Sequence, residues 1–128
     1  MLELYAPEEY WITPAAILVK IVNGCGTPGW KGDLVPEKLF GVSIAEACNV
    51  HDWMYWAGEA AEASREEADR VFLNNMLRIV EAESANWLTR AIRRRLALHY
   101  YEAVRDFGAP HFWVGKNSPK TFQEPGDK

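Results

Sequence analysis

The stretch Cys48-Asn49-Val50-His51-Asp52-Trp53-Met54-Tyr55 decides how this chain is read. It places a thiol, an imidazole, a carboxylate and a phenol within about two helical turns. Tyr55 comes four residues after His51, so the two lie on one side of a helix. Asp52 is rotated about 100° from His51 and points elsewhere, toward the loop that precedes its own helix.

Two capping boxes flank this stretch, Ser43-Ile44-Ala45-Glu46 before it and Ser64-Arg65-Glu66-Glu67 after it. In each, Ser accepts from the amide three residues on while Glu reaches back. They predict helices over roughly 44–57 and 65–83. The connection Gly58 to Ala63 is short enough to make the two helices antiparallel neighbours. At 1.5 Å per residue, His51 and Asp69 then differ in height by only ~3 Å and can meet.

Asp69 shares a stripe with Phe72, Leu73, Met76, Ile79 and Val80, the spacing of a core-facing helix surface. A buried ionised acid without a partner costs several kcal/mol, and the facing helix offers His51 and Tyr55. Accepting from His51 would fix the imidazole tautomer and leave its other nitrogen to take a proton from water. The same pair could instead be a structural brace between two helices, and Tyr55 a plain core aromatic; spacing alone leaves both open.

Thr13-Pro14 starts a short helix over Ala15 to Val22, expected to be buried and stopped by Asn23-Gly24. Residues 23–42 carry five glycines and two prolines and read as a long structured loop, with no strand of consequence. A last helix runs from about Trp87 to Phe107 and stops at Gly108. The expected fold class is all-α: an antiparallel two-helix core with a glycine-rich loop, flanked by N- and C-terminal helices. The domain is expected over 1–109 with a tail over 110–128, part of which packs on the body or on a partner through Phe112, Trp113 and Phe122.

With 128 residues, 48% of them apolar and 25% charged, the chain fits one domain with a real core. A net charge of −4 gives no general reason to bind nucleic acid. The apolar run Ala15 to Val19 is far short of a bilayer span, and the acidic start lacks the basic region of a signal peptide. The expectation is therefore a soluble protein without a transmembrane segment. His99 and His111 come too late to complete a His-Asp metal phosphohydrolase.

Three ordered elements carry a resemblance: the loop Asn23-Gly24-Cys25-Gly26-Thr27-Pro28-Gly29-Trp30, the Cys48 to Tyr55 helix, and Ala68-Asp69-Arg70. Together they resemble the phospholipase A2 superfamily, its bacterial and phage-borne members more than the many-cysteine ones. The resemblance implies calcium-dependent hydrolysis of the sn-2 ester of glycerophospholipids at a bilayer surface or micelle. His51 would be the general base, Asp69 its orienter and Tyr55 a hydrogen-bond partner of Asp69, with Tyr100 or Tyr101 as a second. Ca2+ would be bound by the Asp52 carboxylate and by carbonyls of Gly26, Gly29 and Trp30, the Gly26 amide serving as an oxyanion donor. The loop order Cys25-Gly26-Thr27-Pro28-Gly29 is one residue longer than the usual Gly-x-Gly.

The resemblance also bears on Cys25 and Cys48, which are either two free thiols or a bridge. A bridge would close a loop of about 24 residues and contribute ~3.4 kcal/mol on the chain-entropy model. It would place the protein outside a reducing cytosol, secreted or phage-delivered. Trp11, Trp30, Trp53 and Trp56 are interfacial or core rings, with Trp30 the preferred membrane contact. The Arg90, Arg93, Arg94 and Arg95 cluster reads as a solvated helix face or a phosphate-binding patch. The rival expectation is a catalytically silent scaffold serving as a binding or structural, even phage, component.

Overall fold

A computed structural model of the chain describes residues 4–22, 35–36 and 38–113. The protein is mostly helical, with one small ribbon. Along the chain come α1 (Glu8–Trp11), α2 (Ala15–Ile21), β1 (Lys38–Leu39), β2 (Val42–Ser43), α3 (Ala45–Ala57), α4 (Glu62–Glu83), α5 (Trp87–Phe107) and α6 (Ala109–Phe112).

The ribbon departs from the expectation of no strand. Its two antiparallel pairs, Lys38 with Ser43 and Leu39 with Val42, are joined by Phe40-Gly41. Both turn residues have positive φ, 50° and 88°, the conformation that a two-residue hairpin of matching twist requires. Arg93 of α5 donates to the Phe40 carbonyl at 3.0 and 3.2 Å, to the Glu83 carbonyl at 3.1 Å and to Ser84 Oγ at 3.0 Å. The ribbon is thus stapled to the α4–α5 connection.

Helix α3 begins after Ile44, and Ser43 Oγ accepts from the Ala45 amide at 3.3 Å. It ends at Gly58, where a Cβ would lie 2.8 Å from the Met54 carbonyl oxygen and 3.1 Å from a Phe112 ring carbon. Helix α4 begins at Glu62, three residues before the expected start, and Ser64 lies inside it. Its first turn is drawn in by tertiary pairing: the Glu62 carboxylate meets Arg65 at 3.0 Å and Arg105 of α5 at 3.1 Å. Helix α5 is capped by Asn86, whose Oδ1 accepts from the Thr89 amide at 2.9 Å, a contact worth ~1 kcal/mol.

Apolar side chains gather in two clusters. One joins Leu39, Ile44, Phe72, Met76, Val80 and Val104. The other joins Tyr10, Val50, Trp53, Tyr55, Val71 and Phe112. Phe112 and Trp113 pack into the second cluster; Phe122 lies outside the described residues. Helix α2 buries no residue, contrary to expectation, with Ile17 and Val19 exposed while Leu18 and Ile21 lean on the second cluster. Its apolar run is too short to cover more than one edge of the molecule.

The chain's beginning is tied down by a side chain. Fully buried Asn75 accepts from the Tyr5 amide at 2.7 Å and donates to the Tyr5 carbonyl at 2.8 Å. This pairing copies a strand ladder and buries Leu4 beside it.

Candidate functional site

His51 on α3 and Asp69 on α4 are both wholly buried, with Nε2 and Oδ1 2.7 Å apart. The imidazole sits at the seam of the two apolar clusters, its ring centre 4.2 Å from Tyr55 and 4.7 Å from Phe72. Tyr55 donates its hydroxyl to the same Oδ1 at 2.7 Å. The antiparallel run of α3 and α4 about Gly58 brings these three together, as the i, i+4 placement of His51 and Tyr55 requires.

The second oxygen, Oδ2, accepts from Arg105 Nη1 at 2.7 Å, with Arg65 Nη1 3.5 Å away. Arg105 also holds Glu62, and Arg65 grips Glu62 through Nε while donating to the Val104 and Arg105 carbonyls at 3.4 Å. Two carboxylates and two guanidiniums therefore close a neutral network at the meeting of α4 and α5. Asp69 and Arg65 are buried while Arg105 is partly and Glu62 well exposed, and burial of the first two charges is tolerable because each is paired and hydrogen-bonded.

The network fixes protonation states. Burial acts to raise the Asp69 pKa, but the hydrogen bond and charge of His51 and the hydrogen bonds of Tyr55 and Arg105 outweigh it and hold the acid below its usual range. Asp69 is thus a carboxylate and accepts only, so the His51 Nε2 that faces it carries a proton. Burial, then the Asp69 charge, pushes the Tyr55 phenol far up, and it stays a neutral donor.

Asp52, half-buried, lies off this cluster, and its charge contributes to the raised pKa of Tyr10, after burial and Glu46. Cys48 is buried and disulfide-bonded. Gly26, Gly29, Trp30 and Cys25 lie outside the described residues. Trp53 is buried, its Nε1 donating to Thr13 Oγ1 at 3.1 Å, whereas Trp11 and Trp56 are exposed. In the arginine cluster, Arg93 is the ribbon staple and Arg90 and Arg94 face Glu81 at 3.5 and 3.4 Å. Tyr100 packs in the first apolar cluster, and the Asp69 oxygen expected to meet a second tyrosine meets Arg105 instead. Sequence reasoning missed Arg65, Arg105 and Glu62. The i, i+4 step from Arg65 to Asp69 was a usable signal; Arg105 had none without the register of α5.

Among the described residues no group of three or more His, Cys, Asp or Glu side chains could hold a metal ion. Of the expected calcium ligands, Asp52 lies among the described residues and the loop carbonyls of Gly26, Gly29 and Trp30 do not.

Residues 24–91, more than half of the chain, match the family described as protein of unknown function (DUF1353). No curated protein and no solved structure matches. The chain belongs to the DUF1353 family, and this corrects the resemblance to phospholipase A2, for which no family match exists. Apart from Asn23, the motifs that suggested it fall inside the matched span. A His and a Tyr one turn apart, facing an Asp on the next antiparallel helix, is a general solution to burying a carboxylate and does not identify one family.

Proposed function

We propose that this DUF1353 protein hydrolyses a carboxylic ester, the sn-2 ester of a glycerophospholipid, with His51 as the base that activates water. The observation that carries the reading is the wholly buried His51–Asp69 contact at 2.7 Å. An ionised orienter fixes one tautomer and steadies the imidazolium that forms when Nδ1 accepts a proton. The water oxygen would bond to the ester carbon, and the tetrahedral intermediate would collapse with cleavage of the carbon–alkoxide bond. The leaving alkoxide recovers the proton from His51, giving a fatty acid and a lysophospholipid. Trp11, Ile12, Ile17, Val19 and Trp56 are exposed and would be available to a lipid surface. No described helix is long and apolar enough to cross a membrane, so contact of this kind would be peripheral.

The test is release of fatty acid from phosphatidylglycerol and phosphatidylcholine vesicles, with and without calcium. Wild type should hydrolyse one or both. His51→Gln should lose about three or more orders of magnitude in rate while keeping its helical circular dichroism. Asp52→Asn separates the calcium question: loss of a calcium effect with folding intact would assign Asp52 to the ion.

A second reading, a catalytically silent binding or structural component, is favoured by the saturation of Asp69. Both of its oxygens are taken and two arginines share its charge, as a brace would need. Absence of hydrolysis across headgroups at millimolar calcium selects this reading.

A further inference from the structure

We infer that the trough between α1, the end of α3 and the start of α4 binds a cationic amphipathic segment of another protein. The trough encloses about 640 Å³, within the range of real binding sites. Its floor is apolar, made by Trp53, Met54, Ala57 and Ala63. Methionine is the side chain best able to remould to a partner's shape.

The rim has the opposite character. Glu9, Glu59 and Glu67 stand around it from α1, the α3–α4 turn and α4, and among the described residues no lysine or arginine lines it. Neither Glu9 nor Glu59 has an ion-pair partner among the described residues. Glu67 has Arg70 at 3.3 Å, both being well exposed, and such a surface pair contributes little. An apolar floor ringed by carboxylates is complementary to an apolar stripe flanked by lysines or arginines, the pattern of a helix laid in a groove. Spread over three elements, the carboxylates suit cations spaced along a segment better than one small cation, and they repel an anionic bilayer. The trough shares no residue with the Asp69 network and stands apart from the hydrolase reading.

The probe is a labelled model helix with leucine at i, i+3, i+4 and i+7 and lysine elsewhere, titrated with the full chain and followed by fluorescence anisotropy. A counterpart carries glutamate in place of lysine. The lysine helix should bind, more weakly as salt rises, and the glutamate helix should not. The double variant Glu9→Gln/Glu59→Gln should weaken binding about fivefold. The double variant Glu66→Gln/Glu102→Gln, which removes the same two charges at exposed positions outside the trough, should leave it unchanged. Equal effects of the two variants would overturn the proposal, as would equal binding of both helices.

Discussion

The Asp69 carboxylate is the residue on which most of the buried polar structure depends. Replacing it with Asn keeps its shape but leaves Arg65 and Arg105 facing a neutral group, and removing one partner of a buried ionic set costs about 3–5 kcal/mol. Urea unfolding of Asp69→Asn should show that loss at neutral pH. Because the folded-state pKa of Asp69 lies below its ordinary value of 3.8, its contribution is complete above about pH 4. It disappears as pH falls through the depressed value. The gap between wild type and Asp69→Asn should therefore close in acid. A gap that stayed constant from pH 7 to the acid limit would show that the carboxylate's charge contributes nothing to stability.

The turn after α3 is set by close approach, not by an unusual dihedral. Gly58 has φ −65°, open to any residue, yet an added Cβ meets the Met54 carbonyl at 2.8 Å and Phe112 at 3.1 Å. Gly58→Ala should destabilise by about 1–3 kcal/mol, read as a lowered thermal midpoint; an unchanged midpoint would mean that α6 retreats freely. Helices α3 and α5 were legible largely from where they stop, at Gly58 and Gly108. The start of α4 was not, since Glu62 joins the helix by pairing with Arg105, 43 residues away. The ribbon escaped notice because two residue pairs are too few to show alternation, and α2 was misjudged because an apolar run records composition and not a partner. In the site, His51, Tyr55 and Asp69 were readable from two helices alone. Arg105 waited on the third.

Helices α3, α4 and α5 pack in sequence order, while the first described residues, Leu4 and Tyr5, close over α4. Asn75 makes that closure with two hydrogen bonds, each worth ~1 kcal/mol. Asn75→Ala should cost about 2 kcal/mol and expose the first residues to proteolysis, measurable as faster N-terminal clipping at unchanged helix content. Unaltered clipping would show that Leu4 alone holds the segment. The Tyr5–Asn75 pairing spans 70 positions, and that has a consequence for synthesis. Emerging at 5–20 residues per second, a nascent chain makes Tyr5 about 4–14 s before Asn75. Leu4 and Tyr5 must stay uncommitted throughout that interval, waiting for the side chain that holds them.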